Sequence, residues 1–209
     1  MWIIKLGGSW LTNPNLKALL IAIKKFKKVP ITLVVGGGMF ADSIRNAQKH
    51  VNFDDKFANS LALKSTEQYA SIINKIAPYI YLTSKLSLLR SEKNIKIWLP
   101  SKYLSKEKKF KKNWESTSDS IACWLCSKIK SDGVIFIKSL SFENKKSLKL
   151  IDLQKKGIID RNILSYVRKK TCLKIVGPEV LELLKKKLNR EDGLGYSQDQ
   201  VIFLMKVFD

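Results

Sequence analysis

The sequence predicts an α/β fold, a three-layer sandwich in which helices cover both faces of an open, mostly parallel central sheet. Short apolar runs, typical of buried strands, alternate with segments of helical period along the chain. Glycine-rich turns directly follow the first two runs. Because parallel strands need crossover connections, this alternation favours a parallel sheet. The length of 209 residues is compatible with a single domain over 1–209.

The N-terminal elements are clearly delimited. Asn13 can cap the first helix, with Pro14 at its first position. Pro30 precedes the second strand, a continuous apolar run typical of a strand buried on both faces. The predicted order is strand "WIIKL" (2–6), a helix with apolar Leu16, Leu19, Leu20, Ile23 and Phe26, strand "ITLVV" (31–35), and helices over 39–50 and 54–77.

The remaining elements continue the alternation. The lysine-rich segment 101–116 lacks periodicity and predicts a loop, and residues 150–170 are mixed, with a short helix after Asp160. The other predicted elements are strands "YIYLT" (79–83) and "IKIWL" (95–99), helix "TSDSIACWLCSKIK" (117–130), a strand in "DGVIFIKSL" (132–140), strand "CLKIVG" (172–177), a helix over 178–190 and a final strand over 200–208.

The charge and composition of the sequence argue against a nucleic-acid-binding protein and against a membrane protein. The net charge of +21 is spread as lysine through many short runs, which fits an AT-rich coding bias, and no nucleic-acid-binding motif accompanies it. No apolar run reaches the roughly 18 residues of a membrane span. The N-terminus does not read as a signal peptide. We therefore expect a cytoplasmic protein that binds neither nucleic acid nor membrane.

Cysteine and histidine usage argues against a metal site. The three cysteines are expected to be reduced, and the spacing of Cys123 and Cys126 suits one buried helix face. His50 is the sole histidine of the sequence, so a four-ligand zinc site is not expected. No metal-binding residues are predicted.

Two glycine turns indicate a phosphate site. In an open α/β sheet, ligands bind beyond the carboxyl ends of the strands, where "GGS" (7–9) and "GGG" (36–38) lie. Glycine allows the backbone N–H groups to approach a phosphate closely. Lys5 leads into the first turn and could neutralise charge during phosphoryl transfer. Neither turn matches the usual nucleotide-binding fingerprints.

The motifs "KLGGS" (5–9), "VVGGG" (34–38) and "TSDSIACWL" (117–125) before "GVIFIK", in this order, resemble the amino acid kinase superfamily. The resemblance implies that the first turn and its lysine hold the transferred phosphate, that the second turn receives the acceptor, and that an aspartate organises the lysines. The residues that match these roles are Lys5, Gly7, Gly8 and Ser9, then Gly36, Gly37 and Gly38, then Asp119.

The resemblance also implies ATP as donor, with Mg²⁺ held by nucleotide phosphates and water, and a homo-oligomer. Residues 1–130 would form the acceptor-binding part and residues 131–209 the nucleotide-binding part, with Lys138 and Gly177 near the nucleotide. The sequence departs from the family pattern at one point, because no residue aligns clearly with the second catalytic lysine of the family. Four cations are candidates, and the sequence does not choose among Lys138, Lys155, Lys156 and Arg161.

A narrower resemblance concerns the acceptor. "GGGMFADSIR" (36–45) with "TSDSIACWL" and "KGIIDRNIL" (156–164) is similar to the kinases of methanofuran biosynthesis, in one-carbon metabolism. It implies that the acceptor is an (aminomethyl)furanmethyl phosphate, converted to a diphosphate. Arg45 would then grip the acceptor phosphate, and Asp42 could meet an ammonium on it.

Simpler interpretations of these residues stay open. Asp42 and Arg45 could form only a surface i,i+3 ion pair. Thr117, Ser118 and Asp119 could cap their helix, and Thr117 and Ser118 could also reach a phosphate. The alternatives for the whole chain are a uridylate-type kinase, a non-catalytic ligand-binding protein of the same fold, and a basic RNA-binding protein.

Overall fold

The structure is a computed structural model that describes residues 1–25, 29–90, 95–142, 149–168, 171–182 and 184. Among these residues, six strands form one sheet in the order β3-β4-β2-β1-β5-β6, and every pairing between them is parallel. The predicted open, parallel-rich α/β fold is therefore confirmed. The strands are β1 Trp2–Leu6, β2 Ile31–Val35, β3 Tyr81–Thr83, β4 Lys96–Trp98, β5 Gly133–Ile137 and β6 Cys172–Val176.

Helices connect the strands and cover the sheet. Those in the described part of the chain are α1 Leu16–Lys25, α2 Gly38–Val51, α3 Asp55–Ile76, α4 Ser101–Leu104, α5 Ser118–Ile129 and α6 Leu150–Lys155. Short 3-10 turns span Gly8–Thr12, Leu86–Leu88 and Arg161–Ser165. None of the helices described is both long and apolar enough to span a membrane.

Most predicted elements are present, with one correction. The segment 101–116, predicted as a loop, begins with helix α4, since Ser101 N–H donates to the Glu67 carboxylate at 2.9 Å and Leu104 is fully buried. The strand predicted over 200–208 lies outside the described residues, as does Phe26. The helix predicted over 178–190 lies outside them for most of its length.

The core consists of two clusters, one on each face of the sheet. Side chains alternate between faces along a strand. On β1, Ile3 packs into the cluster that contains α5, whereas Ile4 and Leu6 pack into the cluster that contains α1. The alternation therefore places Lys5 on the α5 face, although it is charged.

Helix α5 lies over the middle of the sheet and is buried along most of its length. Cys123 and Cys126 both pack in its core cluster as free thiols. Burial raises the pKa of both, most strongly that of Cys123. The C-x-x-C spacing thus marks the packed face of a helix, as the sequence suggested.

Candidate active site

The two glycine turns lie side by side at the carboxyl ends of β1 and β2. Gly7 N–H donates to Ile137 O at 2.9 Å, and Gly36 N–H donates to Leu6 O at 3.0 Å. A Cβ atom on Gly8 would lie 2.4 Å from the Gly38 nitrogen, and Gly38 has a φ of 54°. Glycine is therefore required at both positions. A side chain on Gly8 would collide with the backbone of the second turn, and Gly38 has a left-handed backbone conformation.

A cavity of about 410 Å³ opens above these turns. It is lined by strand ends, by the first turn of α5 and by faces of α2 and α3. Among its lining residues are the predicted site residues Lys5, Gly7, Gly8, Ser9, Gly36, Gly37, Gly38, Asp42, Arg45, Thr117, Ser118 and Lys138. The structure thus brings together residues from four separate stretches of sequence.

Two lysines share one buried carboxylate beside the cavity. Lys5 Nζ lies 2.9 Å from Asp119 Oδ1, and Lys138 Nζ lies 2.7 Å from Asp119 Oδ2. Asp119 and Lys5 are almost fully buried, and the Lys138 side chain is 13% exposed. One carboxylate balances two ammonium groups only in part, so the cluster carries surplus positive charge that suits an anion.

The pKa shifts follow from this arrangement. Burial by itself raises the pKa of Asp119, but the charges and hydrogen bonds of Lys5 and Lys138 outweigh burial and hold it below the usual value. Burial and the neighbouring charge of Lys5 lower the pKa of Lys138 to about 8, against the opposing pull of Asp119. Asp119 is consequently a permanent anion near neutral pH.

Of the four cations that the sequence left as candidates, Lys138 is the one whose ammonium shares the Asp119 carboxylate with Lys5. Leu6 pairs with Ile137 across the sheet, so Lys138 follows β5 at the level of Gly7, on the same face as Lys5. Lys155 and Lys156 are exposed, although the adjoining Gly157 and Ile158 line the cavity. Arg161, also exposed, lies 3.4 Å from the Glu115 carboxylate.

Asp160 is a site residue that the sequence reasoning missed. Its carboxylate accepts hydrogen bonds from Thr117 N–H at 2.6 Å, the Thr117 hydroxyl at 2.7 Å and Ser120 N–H at 3.0 Å. It therefore caps α5 from a distant segment, whereas the Thr117 side chain does not cap the helix itself. Burial and the charge of Asp119 raise the pKa of Asp160.

Arg45 and Asp42 form the ion pair that the simpler interpretation expected, and both also line the cavity. Arg45 Nη1 lies 3.0 Å from Asp42 Oδ1, and the two side chains are 44% and 69% exposed. The Arg45 guanidinium also lies 4.4 Å from the Trp114 ring centroid. Because the ring and the carboxylate hold it in place, Arg45 is positioned to receive an anion at the cavity wall.

Gly177 is the predicted site residue that lies apart from the cavity. Its N–H donates to Glu179 Oε1 at 2.9 Å, and a Cβ atom there would lie 2.2 Å from Leu140 O. Its glycine is explained by close packing against the chain after β5. The nucleotide-binding role of Gly177 stays a prediction.

The chain is similar in sequence to known proteins. The profile of the amino acid kinase family matches residues 1–141. A curated relative, [5-(aminomethyl)furan-3-yl]methyl phosphate kinase of Methanocaldococcus jannaschii, is 33% identical over 131 residues, which are 60% of this chain and 59% of the relative.

Two solved structures share the fold. Uridylate kinase from Archaeoglobus fulgidus has a TM-score of 0.61 at 16% identity, covering 88% of this chain and 95% of its own. Aspartate kinase from Synechocystis has a TM-score of 0.63 at 12% identity, covering 84% of this chain and 37% of its own. The fold is that of an open, parallel α/β sheet with two touching glycine turns at its strand ends. The chain belongs to the amino acid kinase family, as the sequence motifs indicated.

Proposed function

We propose that this protein transfers a phosphoryl group from ATP to a small phosphate-bearing acceptor. The observation that carries the proposal is the pair of ammonium groups, Lys5 and Lys138, fixed by the buried Asp119 beside two touching glycine turns. Phosphoryl transfer needs positioning and positive charge more than covalent chemistry from the protein. The cluster supplies both at one place.

The proposed reaction follows from the charges. An acceptor phosphate oxygen attacks the γ-phosphorus, a new P–O bond forms, and the bond to the bridging β-phosphate oxygen breaks to release ADP. Charge on the transferred group is stabilised by Lys5, Lys138 and the N–H groups of Gly8 and Ser9, since the Gly7 N–H donates to Ile137 O. A phosphate monoester with a second pKa of about 6 is already a nucleophile at neutral pH, so no general base is required.

Asp119 acts on the lysines rather than on substrate. It is nearly fully buried and bonded to both ammonium groups, and its low pKa makes it unsuited to accept a proton. We infer that it holds Lys5 and Lys138 apart and charged at a spacing that spans the transferred phosphate. Thr117 and Ser118 line the same wall and would contact the bound phosphates.

We assign the donor and acceptor to different parts of the chain. The acceptor would bind in the part formed by about 1–130, between the second glycine turn and Arg45. The nucleotide would bind in the part formed by about 131–209, next to Lys138. The support for this division is the family resemblance, and residues of both parts, Gly36 and Arg45 on the one hand and Lys138, Ser139 and Leu140 on the other, line the same cavity.

Mg²⁺ would enter with the nucleotide. Within the described ranges, no three His, Cys, Asp or Glu side chains form a group that could hold a metal ion. Two lysines and an arginine fit nucleotide phosphates, and Mg²⁺ in such sites is commonly held by those phosphates and water. We propose no metal ligand from the protein. From the family resemblance alone, we also propose that the protein is a cytoplasmic homo-oligomer.

For the acceptor we propose an (aminomethyl)furanmethyl phosphate, which would place the protein in methanofuran-type cofactor synthesis. The support is the curated relative, which is named as a kinase of that compound and of which this chain spans 59%. The cavity volume of about 410 Å³ is consistent with a small acceptor.

The test is an ATP-dependent turnover assay read by mass spectrometry. Its acceptors are the furan phosphate, UMP, acetylglutamate and carbamate. We expect diphosphate from the furan compound, and a loss of at least a hundredfold in kcat for Lys5→Met, because a charge at the transferred group is removed. Lys17→Met, an exposed lysine on α1, is the matched control and should keep wild-type activity. ATP binding without turnover of any acceptor would instead establish a non-catalytic protein.

A further inference from the structure

Helix α3 forms one wall of the cavity, and its residues have no role in the proposed reaction. Asn59, Ala62, Leu63 and Thr66 all line the cavity. Their spacing of three, four and seven residues puts them on one face of the helix. Two of the four carry a polar side chain, an amide and a hydroxyl, and Lys5 and Lys138 line the same cavity.

Asn59 is the unusual member of this wall. It is 94% buried, since its exposed fraction is 6%, and its Oδ1 atom has no hydrogen-bond partner among the described residues. The Thr66 hydroxyl, by contrast, donates to Leu63 O at 2.7 Å. Buried polar atoms in native proteins nearly always have a partner, so the unpaired oxygen of a residue that lines the cavity leaves a hydrogen-bond acceptor that water or a bound ligand can satisfy.

The position of Asn59 shows which end of the acceptor it would meet. Strand β3 follows α3 and runs parallel to the other strands, so α3 runs antiparallel to them. The beginning of α3 therefore lies farthest beyond the strand ends. Asn59 is two turns before Thr66, or about 10 Å at 1.5 Å per residue. Thr66 is near the glycine turns, because Gly37 approaches the adjoining Ser65.

The chemistry of the amide defines the group it would bind. A side-chain carbonyl oxygen only accepts hydrogen bonds, so its partner must be an N–H or O–H donor. Asp42, the sequence-based candidate for an ammonium, is 69% exposed and already paired with Arg45. A neutral amide also leaves Lys5 and Lys138 free for phosphate, whereas a buried carboxylate at that wall would compete for them.

We propose that Asn59 is a specificity-determining residue whose Oδ1 accepts a hydrogen bond from an N–H donor at the end of the acceptor remote from its phosphate. In the acceptor of the proposed function this donor is the ammonium of the aminomethyl group. The inference rests on the proposed function, which it deepens by assigning amine recognition to α3 rather than to Asp42.

The test compares two acceptors with three proteins. The acceptors are [5-(aminomethyl)furan-3-yl]methyl phosphate and the analogue with a methyl group in place of the aminomethyl group. The proteins are wild type, Asn59→Leu, which keeps the volume but removes the acceptor, and Gln68→Leu. Gln68 is an exposed amide on the same helix, which makes the last variant a matched control.

We expect wild type and Gln68→Leu to prefer the amine. In Asn59→Leu the preference in kcat/KM should fall by tenfold or more, the usual effect of losing a hydrogen bond to a charged group. The loss should appear in KM for the amine, with turnover of the methyl analogue unchanged within about twofold, since the lysine cluster is untouched. Asn59→Asp, which keeps acceptor oxygens, should retain the preference.

The outcomes separate the two proposals. A wild-type protein that turns over both furan phosphates equally would overturn the role of Asn59 and leave the proposed reaction standing. Asn59→Leu with the wild-type preference would do the same. A wild-type protein that turns over neither phosphate would overturn the proposed acceptor and this inference together. Should Asn59→Leu fail to fold, a preference for the methyl analogue in Asn59→Asp would equally contradict the assignment.

Discussion

Lys138 is the residue whose role depends most on its surroundings. It follows a buried strand, and in the sequence it is one of four cations that could act with Lys5. In the fold its ammonium lies 2.7 Å from Asp119, within a cluster where another ammonium faces the same carboxylate. Burial and this second cation make it easier to deprotonate, which lowers its pKa to about 8.

We predict that kcat/KM falls as pH rises above about 8, because the free enzyme loses the Lys138 proton there. Lys138→Arg should keep its charge, since arginine does not deprotonate in this range. The fall in kcat/KM should therefore move to higher pH in this variant, even if its activity is lower. The measurement is a pH–rate profile at limiting acceptor. A limb that stays at the same pH in Lys138→Arg would assign it to another group.

Unfolding of the protein does not account for the predicted fall in kcat/KM at alkaline pH. The pKa of Lys138 is lower in the folded chain than its ordinary 10.5, so between about 8 and 10.5 the unfolded chain binds more protons. The contribution of this group to stability therefore rises with pH across the window. A melting temperature measured in parallel should show no fall attributable to Lys138 where activity declines.

At the scale of elements, α5 is held at both ends by residues distant in sequence. Asp160 binds the N-terminal turn, and Arg90 donates to the carbonyls of Ile129 and Lys130 at the C-terminal end. Because Asp119 lies in the first turn of α5, the Asp160 cap also fixes the carboxylate that positions the lysines. The Asp160 cap therefore affects both the stability of α5 and the position of the candidate catalytic cluster.

We predict that Asp160→Ala lowers the free energy of unfolding by about 1–2 kcal/mol, the usual cost of losing a helix cap. Asp160→Asn should cost less than half of that, since its amide oxygen can still accept from the backbone while its NH₂ group donates to Thr117. Denaturant titration measures both. Asp152→Ala, at an exposed aspartate of α6, is the control. Equal losses in the alanine and asparagine variants would show that the negative charge, not the hydrogen bonds, is required.

At the scale of the whole molecule, binding of an anion should stabilise the fold. The cluster of two lysines and one aspartate leaves positive charge unbalanced in a largely buried place, and Arg45 adds another cation to the same cavity. A ligand that neutralises this charge binds the folded chain and not the unfolded one.

We predict that tripolyphosphate at a hundred times its Kd stabilises the protein by about 2.7 kcal/mol, which raises Tm by roughly 5–10 °C for a chain of this size. Sodium chloride at matched ionic strength should not reproduce the shift. Lys138→Met should lose most of it and Lys17→Met should keep it, both followed by thermal melting. The same shift in Lys138→Met would place the anion elsewhere.

Much of the fold could be predicted from the sequence because its elements are encoded locally. Buried parallel strands appear as continuous apolar runs such as "ITLVV", and the helices show an apolar face. Helix α4 was missed because four residues are too few to show a period, and its start depends on Glu67, a residue of α3. The glycine turns were visible because close backbone approach admits hardly any other residue.

The sequence by itself determined the α/β class, the family and half of the residues around the cavity. Local hydrophobic period, glycine and an ordered set of motifs carry that information without long-range contacts. Only the tertiary structure decided which cation joins Lys5, that Asp160 caps α5, and that Asn59, a residue of the cavity lining, has an unpaired side-chain oxygen. These facts depend on distances between residues far apart in the chain, which pairing of strands and packing of helices fix and no local pattern records.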